Sequence, residues 1–308
     1  MMNFTTCELY PTVITPFDEA GKIDYESAMA LVELFYQNSC DGIFAVCQSS
    51  EMFFLTQQEK LELAAFFIRE CHKRGMRCVI SGHTEDSLEE QLDYLAKAET
   101  LEPDAIILVT NRLVKEDEPD EIFISNLERL LNGLRPETRL GLYECPYPYK
   151  RLISPQMMDY VKNTGRFDFI KDTCCDVDMM KERVEFLQGS GIKLFNANAA
   201  TLTASLENGA AGFSGVALNF VPEVFAAYKK LCKAGQGIRQ AAMLITICSV
   251  YEYQLYPCNA KYYLKDKGII KCDYTRSKKN VLTGAQKEEL HALRQLVEQE
   301  MCRYTAVE

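Results

Sequence analysis

Along this chain of 308 residues, short apolar runs alternate with longer stretches in which apolar residues return every three or four positions. A short apolar run bounded by turn formers reads as a strand buried on both faces, and the longer spacing reads as a helix with one apolar side. The strand candidates are Thr12 to Thr15, Gly42 to Val46, Arg77 to Ser81, Asp104 to Thr110, Arg139 to Tyr143, Phe167 to Lys171, Lys193 to Asn196 and Ala211 to Ser214. The helices between them mark their own starts. Thr56-x-x-Glu59 and Ser87-x-x-Glu90 are capping boxes, and Ser154-Pro155 is a cap followed by proline at the first helical position. Leu31, Leu34 and Phe35, like Leu61, Ala64, Ala65 and Ile68, fall on one helical face.

Strand and helix in strict alternation predict an α/β fold with a parallel sheet. Eight units filling the chain to residue 235 match the roughly 250 residues of a (β/α)8 TIM barrel. From 236 to 308 the period stays helical, broken at Tyr256-Pro257 and Lys267-Gly268, which predicts a C-terminal helical extension packed on the barrel. A doubly wound open sheet is the rival, but neither G-x-G-x-x-G nor G-x-x-x-x-G-K-[ST] occurs.

Charge and composition narrow the function. The net charge is -10, spread along the chain, so a nucleic-acid partner is not expected. No apolar run reaches the roughly 18 to 20 residues of a membrane span, and Met1 to Tyr10 lacks the zones of a signal peptide, so a cytoplasmic protein is expected. The 13 cysteines, without any C-x-x-C pair, read as reduced thiols, and His72, His83 and His291 are not spaced as metal ligands. Neither a metal nor another cofactor is expected.

In such barrels the reacting groups project from the carboxyl ends of the strands. Lys171 follows directly on the apolar run Phe169-Ile170, where burial disfavours the charged amine and moves it toward the neutral nucleophile that attacks a ketone. The alternative is that Lys171 pairs with Asp172 and fills a polar layer of the barrel. Tyr143 ends the neighbouring strand, where a phenol can ferry protons during attack and dehydration; otherwise it is an aromatic plug. Cys47-Gln48-Ser49-Ser50-Glu51 offers hydroxyl and N–H groups for a substrate carboxylate, or is simply a polar loop. Gly212-Phe213-Ser214-Gly215 lets backbone approach a ligand, or serves packing.

With these ends in order, the chain resembles the dihydrodipicolinate synthase and N-acetylneuraminate lyase family, class I aldolases that bind pyruvate as a Schiff base. The likeness runs through Thr15-Pro16-Phe17-Asp18, Leu55-Thr56-x-x-Glu59, Ser81-Gly82, Tyr143-x-x-Pro146, Ile170-Lys171-Asp172-Thr173, Asn208-Gly209-Ala210 and Pro257-x-x-x-Lys261. It implies a lyase or synthase acting on pyruvate or another 2-oxo acid, with Lys171 as the Schiff-base lysine and Tyr143 as the proton relay. Ser49, with the backbone at Ser50, would hold the carboxylate. It also implies a homotetramer, a dimer of dimers.

The departures point to a different second substrate. The family loop G-[TS]-T-G-E has Cys47 and Ser50 for its glycines and Gln48 for its relay hydroxyl, and an amide cannot pass a proton as a hydroxyl does. Thr110-Asn111-Arg112-Leu113 stands where the family places tyrosines, Asn196-Ala197-Asn198-Ala199-Ala200 carries no carboxylate, and the substrate-clamping arginine falls on Pro148. Arg112 or Arg151 is the expected substitute, with Lys115 adding positive charge, unless these are surface cations. A Schiff-base dehydratase or decarboxylase, or a non-catalytic barrel that binds an oxo acid, is the alternative function.

Overall fold

A computed structural model describes residues 6–234, 238–278 and 282–305. Eight strands form one parallel sheet: β1 Glu8–Leu9, β2 Gly42–Ala45, β3 Arg77–Ile80, β4 Ala105–Val109, β5 Leu140–Tyr143, β6 Phe167–Asp172, β7 Lys193–Asn196 and β8 Gly212–Phe213. Their order is β1-β8-β7-β6-β5-β4-β3-β2. The seam between β1 and β2 is closed by the parallel bridge of Thr12 with Phe44, where Phe44 N–H donates to Pro11 O (2.9 Å) and Val13 N–H to Phe44 O (3.1 Å). The sheet is therefore a barrel.

The first strand corrects the expectation. Thr12 to Thr15 is as apolar as the other runs, but Pro11 and Pro16 flank it and bring no N–H to a ladder. The ladder to β8 forms earlier, at Glu8 and Leu9, and the chain then crosses to β2. Gly212 makes that pairing possible, because a Cβ there would lie 1.9 Å from the carbonyl oxygen of Glu8. The expected eighth strand shrinks to Gly212–Phe213. The middle strands lie within a residue or so of their predicted ends.

Helix starts follow the capping chemistry. Thr56 accepts from Glu59 N–H while the Glu59 carboxylate accepts from Thr56 N–H, Ser87 and Glu90 repeat the pattern, and Ser154 caps Met157 N–H with Pro155 next to it. Inside the barrel, Tyr10 packs edge-on against Phe169 and Phe195, which stack on each other at 4.3 Å. Side chains two residues apart on a strand share a face, so Lys171 points into the barrel just above Phe169.

Helices Ile238–Ser249, Cys258–Asp266 and Gly284–Thr305 follow the barrel and pack on it through Leu244, Leu264, Leu290, Leu293 and Val297. The predicted boundary between 235 and 236 lies outside the described residues. Among the described residues no helix is long and apolar enough to cross a membrane.

Candidate active site

A cavity of about 410 Å3 opens at the carboxyl ends of the strands, with Lys171 and Tyr143 in its wall. The two are direct register partners across β5 and β6, which places the amine 4.3 Å from the centre of the phenol ring. The Phe44 ring lies 5.6 Å from the same nitrogen. Burial holds the Tyr143 phenol well above its usual range, so it is a proton donor or carrier rather than a standing phenolate. Its hydroxyl donates to Gln48 Oε1 (3.2 Å), and the thiol of Cys145 reaches the same oxygen at 3.4 Å. Burial pushes that thiol up to about 11.

The rival pairing of Lys171 with Asp172 is overturned by strand alternation. Asp172 faces the opposite side of β6, where Arg183 donates to it and to Ile153 O (2.8 Å) and forms an ion pair with Glu144 Oε1 (2.9 Å). Glu144 further accepts the N–H of Thr173 and of Ile153, each at 2.8 Å. One guanidinium thus ties the ends of β5 and β6 together directly behind Tyr143 and Lys171. Burial raises Glu144 to about 7; the Arg183 charge opposes this and the Asp172 charge adds to it.

The loop after β2 supplies the adjoining wall. Ser49 and Gln48 line the cavity, and the Ser49 hydroxyl donates to Thr12 Oγ1 (3.1 Å). Ser50 departs from its expected role: its hydroxyl donates to Val13 O (2.6 Å) and its N–H to Cys47 O (3.0 Å), so both groups build the loop. The positive φ values fall on Val46 (50°) and Glu51 (59°), so the loop does not require glycine at 47 or 50. A β-branched residue in that region marks strain at the end of β2.

Other expected contacts lie elsewhere. Gly212 lets β8 pair with β1, and Ser214 is buried with its hydroxyl unpartnered among the described residues; neither lines the cavity. Arg112 turns away to Asp86 (2.6 Å) and Thr84 O, Arg151 is held by Asp120 (2.7 Å), and Lys115 lies 3.6 Å from Glu118. The residues after β4 are loop clamps, with Asn111 donating to the carbonyls of Cys145, Tyr147 and Tyr149 and Thr110 to that of Arg151.

Sequence reasoning missed several wall residues. Lys150 lines the cavity and donates to Thr173 O (2.8 Å). Tyr256, from the segment before helix Cys258–Asp266, also faces it, its phenol oxygen accepting from Asn219 (3.1 Å). Glu51 is buried against Lys261 and accepts the N–H of Arg276 and Ser277, which draws Ser277 and Lys278 to the cavity rim. The departures at 148 and 110–113 were the available signal that a cation had to come from somewhere else, but the pattern did not say from where.

A closed barrel with an amine and a phenol side by side at the strand ends defines an aldolase-type lyase. The model of the dihydrodipicolinate synthetase family matches residues 6–300, and the chain belongs to that family. The 4-hydroxy-tetrahydrodipicolinate synthase of Brachyspira hyodysenteriae is 23% identical over 211 residues, covering 68% of this chain and 69% of the relative. The structure of the 4-hydroxy-tetrahydrodipicolinate synthase from Methylacidiphilum fumariolicum SolV superposes with a TM-score of 0.83 at 21% identity, covering 97% of this chain and 98% of that one. A monomeric dihydrodipicolinate synthase variant reaches a TM-score of 0.84 at 16% identity, covering 94% and 96%. The protein is a class I, pyruvate-dependent aldolase-type lyase by family.

Proposed function

We propose that Lys171 carries the 2-oxo acid as a Schiff base and that Tyr143 moves the protons. The neutral amine attacks C2 of pyruvate, and the ketone oxygen leaves as water with a proton from Tyr143; the Tyr143 phenolate then takes a proton from C3, whose electron pair moves into the iminium to give the enamine. The enamine then attacks an aldehyde carbon, whose oxygen takes up a proton; water returning to C2 frees the lysine and a 4-hydroxy-2-oxo acid. The reverse sequence is carbon–carbon cleavage. Ser49 holds the carboxylate, and Arg183 is a positioning residue that keeps the two strand ends in register. The observation carrying this reading is the 4.3 Å approach of the amine to the phenol ring inside the cavity.

Gln48 accepts from Tyr143 and cannot hand a proton on, so the phenol exchanges protons with the cavity or with substrate groups. The family likeness favours a homotetramer in the cytoplasm, which light scattering and fractionation would test. Borohydride reduction with pyruvate is expected to add a stable adduct to the Lys171 peptide. An unmodified peptide at saturating pyruvate would remove the mechanism, and product mass separates cleavage from dehydration or decarboxylation on the same iminium.

A further inference from the structure

The second reactant can be narrowed from the charges and surfaces of the same cavity, on the reading that Lys171 carries the oxo acid. Its charged wall residues are Lys150, Lys171, Lys278 and Glu51. Glu51 is fully occupied: Lys261 holds one oxygen, and the N–H groups of Arg276 (2.7 Å) and Ser277 (2.6 Å) hold the other. The cavity is therefore cationic in a chain whose net charge is -10. A low-dielectric cleft of one sign concentrates ligands of the other.

The two lysines other than Lys171 are placed by structure rather than left to chance. Lys150 spends one proton on Thr173 O, two residues beyond Lys171, and an ammonium carries three donors. Lys278 sits on a segment pinned by Arg276, which donates to Glu59 Oε1 (2.7 Å), Gly21 O (2.8 Å) and Phe54 O (3.1 Å). The rest of the wall is largely apolar. Phe53 and Tyr147 meet edge to face at 4.9 Å, and Phe54 and Tyr147 are 43% and 47% exposed, with Val216 in the same wall. Among the described residues no second carboxylate lines the cavity to grip a run of sugar hydroxyls.

We infer that the aldehyde partner has a flat apolar body ending in one acidic group, a carboxylate or phosphate, and that Lys150, assisted by Lys278, is its specificity determinant. The apolar body lies against the aromatic rim, and the anion takes the remaining donors of Lys150. The condensation joins enamine C3 to the aldehyde carbon, with the water lost at iminium formation returned at release, so no oxidant or reductant enters.

The test is the condensation of pyruvate with benzaldehyde, 4-carboxybenzaldehyde, 4-formylphenyl phosphate and glyceraldehyde. A charge-assisted contact predicts kcat/KM for an acidic aromatic aldehyde about 10- to 100-fold above benzaldehyde. The carboxylate and phosphate arms show which anion fits. Lys150→Gln should cut the acidic-to-neutral ratio about tenfold and Lys278→Gln about threefold; both lysines are exposed, so the preference should weaken in high salt. A preference for glyceraldehyde, an unchanged ratio in Lys150→Gln, or a rise in the KM of pyruvate alone in that variant would overturn the inference. Borohydride trapping of pyruvate on the wild-type protein separates the levels. Trapping without charge preference, or without turnover of either acidic aldehyde, sinks only the acceptor assignment, whereas absence of trapping sinks the Schiff base and the assignment with it.

Discussion

Lys171 and Lys261 are both buried near the carboxyl end of this barrel, and their surroundings differ. Lys261 is sealed against the Glu51 carboxylate, donates to Tyr274 O (2.8 Å) and lies 4.3 Å above the Phe17 ring. Burial pulls its pKa down and Glu51 pulls it back up, so the pair acts as a bolt between the loop after β2 and the helix Cys258–Asp266. Lys171 lies equally close to an aromatic ring, yet the two acidic residues at the ends of its own and the adjacent strand, Asp172 and Glu144, are both held by Arg183. Burial alone does not distinguish a structural from a chemical amine. The carboxylates around them are bonded differently: Glu51 to Lys261, and Asp172 and Glu144 to Arg183.

Exchanging each amine for a hydrophobe of similar length should split the two roles. Lys171→Met is expected to abolish borohydride trapping and lower turnover by about 1000-fold or more, as loss of a nucleophile does. Its urea unfolding midpoint should stay near wild type, because a buried amine replaced by a hydrophobe is often neutral. Lys261→Met leaves the Glu51 charge buried without its cation, which costs on the order of 3 to 5 kcal/mol in a urea titration. Folded Lys261→Met protein should still be trapped at Lys171. If the first variant is the unstable one, or the second is folded normally and untrappable, the contrast between the two lysines is wrong.

The parts of this arrangement that were legible from sequence are those set by local pattern. Strands β2 to β7 are short apolar runs between turns, and Tyr143 and Lys171 stand out as polar groups ending such runs on inward positions. The first strand was misplaced because Glu8–Leu9 is too short to show a period and its ladder partner, Gly212, lies across nearly the whole chain. Arg112 and Lys150 illustrate the same limit for the site. Both are cations after strand ends, and only the tertiary partner, Asp86 for one and Thr173 O for the other, decides which reaches the cavity. Glu51 and Lys261 meet across 210 residues, beyond any periodicity.

The smaller test concerns how the two buried acidic sites are balanced. Glu51 has a lysine to itself, whereas Glu144 and Asp172 share one guanidinium, and burial raises Glu144 from 4.5 to about 7. A carboxyl whose folded pKa is raised binds its proton more tightly when folded. Its contribution to stability is therefore fully present below pH 4.5 and is lost as pH rises through about 7. The loss from this one group is on the order of 3 kcal/mol. Glu144→Gln cannot titrate and carries a fixed cost, since its amide meets the Thr173 N–H with a donor. Urea stability of the variant relative to wild type should therefore improve between pH 5 and pH 8. A difference that stays constant across that window would mean that Arg183 and the two backbone N–H groups keep Glu144 ionised throughout, and that the charge behind Lys171 is a permanent feature of the site rather than one set by pH.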